Sequence, residues 1–481
     1  MKEERCGFIL AKMNLNSLFH EVGIRCTDSR WILGISDDTR EIKQDWLFIC
    51  HKGSKEDKYR YIKEAMKKGA VVLCDESIEI QGVYRTTCLE EIKNQLVQIF
   101  YGTYDGCLIG ITGTNGKSSV TDILKQMLEM QEQRVMTIGT GQIIYDHHVV
   151  EIQNTTPSMF VLAHYLGIAK ELNIPFVIME VSSHGIDQQR ILHLRFDIIV
   201  YTNITQDHLD YHITRTHYQY TKYKLRFYLK KHGIVILNHD DIHLHDLYRL
   251  TDHKCISIGA KQAHFPISDI VLKDRLSSFY VQGYHFQTQL LSMANVYNIT
   301  EAIAVCRHFG ISYEACIQMV KNLKPVEGRL VCLPHKEYTV WIDYAHTFEA
   351  VRKLVEFARS IVTGRIIMVV GCGGNREQEK RKLIGEYCAR ACEVSIFTTD
   401  NPRKEKAHHI LKDMLPDNLE HVIVIENRYY AIKHAINIAQ KNDIIIIAGK
   451  GNEKTQNVNG KLYPFHDESC VYEFWKREEL L

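Results

Sequence analysis

The sequence predicts a protein made of α/β domains. Short runs of β-branched residues alternate with longer helical patterns almost throughout the 481 residues, which is typical of parallel strands joined by crossover helices. At about 150 residues per domain, this length corresponds to about three domains. Hydrophobic residues make up 45% and charged residues 24% of the chain, and these ordinary values exclude disordered and fibrous classes.

The first domain is predicted over residues 1–100. Strands are expected at 46–50 and 70–74, on either side of an amphipathic helix at 59–68. The unit ends near Gln98, and a hinge is expected at 102–106. This order of elements predicts a small α/β unit.

A central domain is predicted over residues 101–324 and a third domain over residues 325–481. The central domain opens with a strand at 107–112, a glycine loop and a helix at about 117–131. After a linker at 325–329, helical stretches separate five strand candidates, which lie at 339–343, 365–371, 394–398, 421–425 and 443–448. Such a series predicts a complete doubly wound, Rossmann-like sheet.

The charge balance and the cysteine content exclude some classes of protein. Lys plus Arg number 59 and Asp plus Glu 58, so we expect no nucleic-acid or membrane surface that works through bulk charge. No apolar run approaches the roughly 20 residues that span a bilayer, and the start does not resemble a secretory signal. The 14 irregularly spaced cysteines are typical of reduced thiols. We therefore expect a soluble cytoplasmic protein, by default a monomer.

The most informative motif is a glycine loop between the first predicted strand and helix of the central domain. Its residues are Gly110-Ile111-Thr112-Gly113-Thr114-Asn115-Gly116-Lys117-Ser118-Ser119. Such loops turn backbone N–H groups toward a polyphosphate, while the lysine adds a cation and the serine hydroxyl can ligate Mg²⁺. ATP is the expected ligand, and a glycine turn without nucleotide is the alternative. The usual phosphate-loop spacing has glycine at position 111, where this chain has Ile111.

A second chemical signal lies at the end of another predicted strand. The apolar run 176–179 is followed directly by Glu180. Open α/β sheets bind ligands at the carboxyl ends of their strands, so Glu180 is the first candidate ligand for Mg²⁺. A solvated carboxylate is the alternative.

The glycine loop resembles that of the Mur ligase family, ATP-dependent enzymes that build the peptide stem of peptidoglycan. Further blocks are similar to the branch that adds the third amino acid, and they follow in family order over nearly the whole chain. They lie at 154–157, 180–190, 202–212, 343–347, 371–374, 400–403 and 449–451. Folate-polyglutamate and cyanophycin synthetases share the loop, but folate-polyglutamate ligation lacks support at 154–156 and 400–403.

The resemblance implies a ligase that joins an amino acid to the terminal carboxylate of a UDP-N-acetylmuramoyl dipeptide. ATP would phosphorylate the carboxylate, and the amine would attack the acyl phosphate. Because three anionic partners must meet, charge neutralisation dominates such a path. The resemblance implies that the catalytic residues are Lys117, Glu180, His208 and Lys222, and that Mg²⁺ is held by Ser118, Glu180, His208 and a carbamate on Lys222. Lys224 is the alternative site of the carbamate.

The resemblance also implies two sets of nucleotide-binding residues. ATP is expected to contact Gly113, Thr114, Asn115, Gly116, Lys117, Ser118, Ser119, Asn295, Asn298, Arg329, Asp343 and His346. The UDP-linked acceptor is expected to contact Thr39, Ser54, Asn154, Thr155, Thr156, Ser182, Gln188 and Arg190. Its uridine is expected at Asp38-Thr39-Arg40 in the first domain, although these three residues could equally form an ordinary turn.

The amino-acid site is expected in the third domain. The residues implied are Arg376, Asp400, Asn401, Pro402, Arg403, Gly449 and Glu453. Because meso-diaminopimelate has a second carboxylate that lysine lacks, its site needs an additional cation. Arg403 therefore favours diaminopimelate, and Arg376 with Glu453 matches the two charges of its distal centre. Surface ion pairs are the alternative role of these three residues.

Several positions depart from the family pattern. Ser292 and Ala294 replace glycine and phenylalanine, Asn375 and Asn452 replace aspartate and histidine, and Glu327, Phe348 and Lys382 replace prolines. Asn375 and Asn452 lie near the implied amino-acid site, so a paralogue that attaches lysine or another amino acid is one alternative. A nucleotide-binding regulatory subunit without ligase activity is another, although the catalytic lysines, Glu180 and His208 are all present.

Overall fold

A computed structural model describes residues 12–51, 53, 55–273, 276–326 and 328–478. It confirms a mixed α/β fold in which several sheets contain parallel strands. Two positions discussed above, Ser54 and Glu327, lie outside the described residues. No helix in the described ranges has the length and apolar character needed to cross a membrane.

The first half of the chain contains short strands and helices in alternation. In chain order they are β1 (Met13–Asn14), α1 (Leu15–Glu21), β2 (Trp31–Ile32), β3 (Ile35–Ser36), β4 (Leu47–Cys50), α2 (Lys55–Lys67), β5 (Val71–Asp75), β6 (Tyr84–Thr86), α3 (Leu89–Tyr101), β7 (Cys107–Thr112), α4 (Lys117–Glu129), β8 (Val135–Gly139), β9 (Gln142–Tyr145), β10 (His148–Glu151), α5 (Met159–Glu171), β11 (Phe176–Glu180), α6 (Ser183–Asp187), β12 (Phe196–Tyr201), α7 (Leu209–His212) and α8 (Arg215–Tyr223).

The second half continues this alternation after a 3₁₀ helix at Lys224–Tyr228. The elements are β13 (Leu229–Asn238), a 3₁₀ helix (Ile242–Leu244), α9 (His245–Leu250), β14 (Lys254–Gly259), β15 (Phe265–Leu272), β16 (Ser277–Val281), β17 (Tyr284–Thr288), α10 (Met293–His308), α11 (Tyr313–Lys321), β18 (Val331–Pro334), β19 (Thr339–Asp343), α12 (Phe348–Ile361), β20 (Ile366–Val370), α13 (Glu379–Ala391), β21 (Val394–Phe397), α14 (Ala407–Met414), β22 (Val422–Val424), α15 (Arg428–Ile438), β23 (Ile444–Ala448), β24 (Thr455–Val458), β25 (Lys461–Pro464) and α16 (Asp467–Glu478).

The chain divides into two compact units. Unit 1 comprises the described residues up to 110 together with 132–199 and 224–233, and unit 2 comprises 111–131, 200–223 and the described residues from 234 onward. Strands β7, β12 and β13 begin in unit 1 and end in unit 2. The division into three domains stays a prediction.

Unit 1 contains a four-stranded parallel sheet in the order β3-β4-β5-β6. One face of this sheet packs with α1, α3 and α5 in a single apolar cluster that includes Leu18, Leu47, Leu96 and Phe160. Strand β8 pairs in parallel with β11, and β9 and β10 extend it as antiparallel strands. The strands predicted at 46–50 and 70–74 are confirmed as β4 and β5.

Unit 2 contains a six-stranded sheet in the order β18-β19-β23-β20-β21-β22. The five strands from β19 to β22 in this order are parallel, and β18 is an antiparallel edge strand. All five residues of β23 are buried, as expected for a strand with helices on both faces. The five predicted strands are confirmed, and their carboxyl ends open toward one edge of the sheet.

Candidate active site

The glycine loop joins the end of β7 to the start of α4, as the sequence predicts. Gly113 and Gly116 have φ of 153° and 90°, in the region that favours glycine. A Cβ on Gly113 would overlap the Thr202 hydroxyl, and one on Gly116 would lie 2.8 Å from Asn298 Oδ1. The loop therefore needs glycine at both positions, for backbone conformation and for space.

Two lysines donate to the same carbonyl oxygen of this loop. Lys117 Nζ lies 2.9 Å from Gly113 O and 3.0 Å from Thr114 O. Lys222 Nζ, on α8, also lies 2.9 Å from Gly113 O. The Lys222 residue is 1% exposed. Burial lowers the pKa of Lys222 well below its usual value, and the charge of Lys117 lowers it further.

The segment after β12 holds the glycine loop in place. Thr202 Oγ1 and Asn203 Nδ2 donate to Asn115 O at 2.6 and 3.0 Å, and Asn115 N donates to Asn203 Oδ1 at 3.0 Å. Thr114 Oγ1 accepts from Thr205 N at 2.9 Å. Thr202, Asn203 and Thr205 had no predicted role beyond their place in the block 202–212. The only sequence feature that could have indicated this role is the run of short, polar side chains directly after an apolar run.

Asp207 is a charged group that the sequence analysis did not select. Burial alone would raise the pKa of Asp207, but the nearby groups His208, His346 and Lys380 outweigh it and lower the pKa to about 2. His208 Nε2 lies 3.5 Å from Asp207 Oδ2, and His208 itself has φ of 53°. Asp207 is therefore a carboxylate at neutral pH, and it contributes a negative charge near Lys222.

Glu180 ends β11 in unit 1 and is 3% exposed. Its carboxylate accepts hydrogen bonds from the backbone N–H and the hydroxyl of Thr140, at 3.0 and 3.1 Å. Gly139 leaves space for it, because a Cβ there would overlap Glu180 Oε1. The carboxylate is thus buried, oriented and not simply solvated.

Four of the eight residues expected to hold the UDP-linked acceptor lie around this carboxylate in unit 1. Thr155 Oγ1 lies 3.1 Å from Thr140 Oγ1, and Thr156 Oγ1 donates to Glu180 O at 3.0 Å. Ser182 N donates to Thr156 Oγ1 at 2.9 Å. Arg190 NH1 donates to Thr156 O at 2.5 Å. The structure therefore brings the block 154–157 and the block 180–190 together.

The other described residues that were expected to hold the UDP-linked acceptor are Gln188, Asn154 and Thr39. Gln188 accepts from Arg190 Nε at 3.0 Å, and Asn154 is exposed. Thr39 is buried, and its carbonyl accepts from Lys68 Nζ at 2.6 Å. Thr39 also lines a cavity of about 620 Å³ in the first part of unit 1, with Asp37, Asp38, Arg40, His51 and Tyr61 among its walls.

Several residues expected to hold ATP lie near the glycine loop within unit 2. Arg329 NH2 donates to Ser118 Oγ at 3.3 Å, and its guanidinium lies 4.4 Å from the Tyr344 ring centroid. Asn298 Nδ2 donates to Asn295 Oδ1 at 3.3 Å, so both asparagines lie on the face of α10 that meets Gly116. Ser119 is buried on α4.

Asp343 and His346 lie at the carboxyl end of β19. Asp343 accepts hydrogen bonds from the backbone N–H groups of Leu330 and Ala345, both at 2.7 Å. Burial raises the pKa of Asp343. Burial, together with the charge of Lys380, lowers the pKa of His346 to about 4. His346 is therefore neutral at pH 7.

The amino-acid residues predicted in the third domain converge on the carboxyl ends of β20, β21 and β23. Asn401 Nδ2 donates to Glu453 Oε2 at 2.7 Å, and Arg403 NH1 donates to Gly374 O at 2.8 Å. Burial lowers the pKa of Arg403, and the charge of exposed Arg376 lowers it further. The carbonyl of Pro402 packs on Gly374, and a Cβ on Gly449 would lie 2.6 Å from Asp400 Oδ2.

The expected Mg²⁺ ligands form no ready-made carboxylate cage. Within the described part of the chain, no group of three or more His, Cys, Asp or Glu side chains is placed to hold a metal ion. Ser118, His208 and Lys222 belong to unit 2, and Glu180 belongs to unit 1. An ammonium group has no acceptor, so Lys222 fits a metal site only in a chemically modified form.

Comparison with known proteins gives consistent results along the chain. Residues 111–306 match the Mur ligase middle domain, and residues 328–451 match the Mur ligase, glutamate ligase domain. The chain is 34% identical over 465 residues to the UDP-N-acetylmuramoyl-L-alanyl-D-glutamate--2,6-diaminopimelate ligase of Caldanaerobacter subterraneus subsp. tengcongensis, covering 93% of this chain and 95% of the relative. It is 33% identical over 453 residues to the protein of the same name from Aquifex aeolicus, covering 92% and 93%.

Solved structures give the same result. A structure of a ligase with that name is 25% identical, with a TM-score of 0.66, and the match covers 97% of this chain and 99% of that one. The MurF ligase from Thermotoga maritima, in complex with ADP, shares the fold at 17% identity, with a TM-score of 0.67 and coverage of 93% and 98%.

Proposed function

The chain belongs to the Mur ligase family, and we propose that it adds meso-diaminopimelate to UDP-N-acetylmuramoyl-L-alanyl-D-glutamate, with hydrolysis of ATP to ADP and phosphate. Members of this family are ATP-dependent ligases that form peptide bonds. The observation that carries the proposal is the pair of lysines on one carbonyl of the glycine loop, Lys117 and Lys222 at Gly113. The names of the relatives supply the proposed substrates.

The glycine loop supplies the positive charge that phosphoryl transfer needs. ATP would lie along Gly113 to Ser119, with the N-terminus of α4 and the Lys117 ammonium facing its phosphates. The acceptor carboxylate attacks the γ-phosphorus and ADP leaves, which gives an acyl phosphate. The uncharged amine of the amino acid then attacks the acyl carbon, and the tetrahedral intermediate expels phosphate. Arg329, which donates to Ser118, is placed to balance charge on the nucleotide.

Lys222 fits a carbamate because it is buried and its pKa is lowered. Carbon dioxide reacts only with the neutral amine, which loses one proton as the carbamate anion forms. The product has two carboxylate-like oxygens. Within unit 2, the carbamate with Ser118 and His208 would hold Mg²⁺, which neutralises phosphate charge in such reactions. Glu180, in unit 1, is proposed as a further ligand from the sequence alone. The alternative residue Lys224 is exposed, so burial favours Lys222.

Other predicted residues would bind the acceptor peptide, its uridine and ATP. Thr155, Thr156, Ser182, Gln188 and Arg190 would hold the acceptor peptide beside Glu180, with Asn154 at the exposed margin. The cavity at Thr39 would take the uridine. Asn295, Asn298, Asp343 and His346 would surround the ATP. The proposed domains are a UDP-substrate domain (1–100), an ATP domain (101–324) and an amino-acid domain (325–481), with the acceptor-peptide residues in the ATP domain.

In the amino-acid domain, Arg403 and Arg376 would face the distal carboxylate of diaminopimelate, and Glu453 its distal ammonium. Asp400, Asn401, Pro402 and Gly449 would form the surrounding loops. Guanidinium groups pair well with carboxylates, and lysine has no carboxylate at that end. We therefore propose diaminopimelate over lysine, and a reaction in the cytoplasm, by a monomer, as part of peptidoglycan synthesis.

An amino-acid panel tests this function. Purified protein with ATP, Mg²⁺ and UDP-N-acetylmuramoyl-L-alanyl-D-glutamate should release phosphate rapidly with meso-diaminopimelate and at least about tenfold more slowly with L-lysine. Greater activity with lysine or another amino acid would indicate a paralogue. Nucleotide binding without acceptor-stimulated phosphate release would indicate a regulatory subunit.

A further inference from the structure

Lys450 is a buried cation without a role in the proposed reaction. It follows β23 between Gly449 and Gly451, and the residue is 0% exposed. Its Nζ lies 2.7 Å from Glu453 Oε2, 2.8 Å from Thr455 O and 3.3 Å from Asn401 Oδ1. These partners come from the loop after β21, the turn after β23 and the start of β24. Lys450 therefore ties together three segments that border the proposed amino-acid site.

The partners of Lys450 fix its charge. All three are acceptors: a carboxylate oxygen, a backbone carbonyl and an amide oxygen. The amide orientation of Asn401 follows from its other bonds, because its Oδ1 accepts from Asn457 N at 2.8 Å and its Nδ2 donates to Glu453. Three acceptors around one nitrogen require three N–H donors, which only the ammonium form of lysine provides.

Lys450 also determines which carboxylate oxygen of Glu453 can bind a ligand. Glu453 Oε2 accepts from both Lys450 Nζ and Asn401 Nδ2, each at 2.7 Å. Glu453 Oε1 has the Tyr344 hydroxyl at 3.4 Å, a distance that makes only a weak hydrogen bond. Oε1 is therefore the oxygen that remains for the ammonium of a substrate.

The charged groups of the site add up to one excess positive charge. Arg376, Asp400 and Glu453 lie close enough to Arg403 for their charges to change its pKa. Lys450 contacts Glu453. Three cations thus face two carboxylates. The neighbouring buried Arg428 is balanced by Asp467, with Nε 2.8 Å from Oδ1 and NH2 2.8 Å from Oδ2. Without Lys450 the five-residue group would be neutral.

We propose that Lys450 is a specificity-determining residue, which selects an amino acid with a zwitterionic distal end over one that ends in a lone ammonium. The inference rests on the proposed ligase function and extends it to a residue that touches no substrate. The excess charge repels the additional cation of lysine, whereas the distal carboxylate of diaminopimelate cancels the charge of its own ammonium. Lys450 also orients Glu453, but its effect on amino-acid preference comes from its charge.

The test is the ratio of kcat/KM for meso-diaminopimelate to that for L-lysine. In Lys450→Met, which keeps the length of the side chain, we expect this ratio to fall at least about tenfold, from the loss of one nearby charge. The KM for ATP should not change, because the partners of Lys450 Nζ (Asn401, Glu453 and Thr455) are not among the residues proposed to hold ATP. An unchanged ratio in a folded Lys450→Met protein with a wild-type melting temperature would overturn the proposal.

A double variant separates charge from packing. Glu453→Gln alone raises the excess charge to two, so the ratio should rise, and Lys450→Met with Glu453→Gln restores one excess charge and should recover the wild-type ratio. A double variant with a ratio as low as Lys450→Met would contradict the charge argument.

If Lys450→Met does not fold, a fall of the ratio in Glu453→Gln overturns the proposal instead. Wild-type protein that ligates neither amino acid would refute the ligase function itself, which is a different outcome.

Discussion

The glycine loop and the amino-acid site both contain lysine side chains, but these lysines contact different kinds of acceptor. Lys117 and Lys222 donate to backbone carbonyl oxygens of the loop. In the amino-acid site, Lys450 is bound to the carboxylate of Glu453. Dipoles of neutral carbonyls balance a charge less completely than a carboxylate does. These carbonyls therefore leave more of the Lys117 charge for an incoming anion than the Glu453 carboxylate leaves at Lys450.

This difference corresponds to the demands of the two proposed ligands. A triphosphate carries several negative charges, and a loop that is already neutralised would bind it weakly. A diaminopimelate end carries one charge of each sign, so its recognition depends on the arrangement of cations and anions more than on their sum. Substitutions in the two regions should thus change different quantities: catalytic rate in the loop, and amino-acid preference in the other site.

The largest effect is expected in the loop, for Lys222→Arg. This substitution keeps a long basic side chain at the position, but a guanidinium stays protonated and cannot form a carbamate. We expect ligation to fall by roughly a thousandfold, as for loss of a main electrostatic contributor in other enzymes. Steady-state phosphate release measures the effect.

Lys224→Arg is the matched control, because Lys224 is exposed two residues further along the chain. It should keep wild-type activity. If Lys222→Arg were fully active and Lys224→Arg inactive, the modified residue would be Lys224 and the loop assignment would need to change.

A smaller and more selective effect is expected for Arg403→Lys in the amino-acid site. The backbone of Arg403 is fixed, since its N donates to Asn457 O at 3.0 Å and its O accepts from Asn459 N at 2.6 Å. A lysine loses the planar pair of donors, so the KM for diaminopimelate should rise about tenfold while the KM for ATP stays constant. Kinetics with each substrate varied in turn measure both values.

Exposed Lys404 gives the control for this position. Only its backbone N–H, which donates to Asn375 Oδ1 at 3.1 Å, takes part in the site. Lys404→Ala should therefore leave both KM values unchanged. A parallel rise of both KM values in Arg403→Lys would show that the two regions are not independent.

Much of the fold was predictable because its signals are local. The five strands of the sheet in unit 2 are apolar runs between helical patterns, and the glycine loop follows its strand directly. The antiparallel edge strand β18 and the hairpin β9–β10 were not predicted. Short strands such as these depend on pairing with their neighbours more than on their own sequence.

The site was predictable only in part. The glycine loop led to Lys117, the end of a predicted strand to Glu180 and a family block to Arg403, but the contacts that hold these residues come from residues far apart in sequence. Asn203 binds Asn115 across 88 positions, and Asn401 binds Lys450 across 49. Such pairs produce no periodicity, and a single sequence therefore does not indicate them.

Ser292 is one of the positions at which the resemblance implies a departure from the family pattern, with serine in place of glycine. Its φ of 92° lies in the region that favours glycine. Its hydroxyl accepts from Asn295 N at 3.4 Å at the start of α10. The sequence alone does not indicate this backbone conformation.

The most direct test of the central claim is whether the acceptor carboxylate becomes phosphorylated. UDP-N-acetylmuramoyl-L-alanyl-D-glutamate labelled with a heavy oxygen isotope in its terminal carboxylate would be incubated with ATP, Mg²⁺, diaminopimelate and the protein. An acyl phosphate intermediate predicts that the released phosphate carries one labelled oxygen, detected by mass spectrometry. Unlabelled phosphate, formed together with the peptide product, would contradict the account.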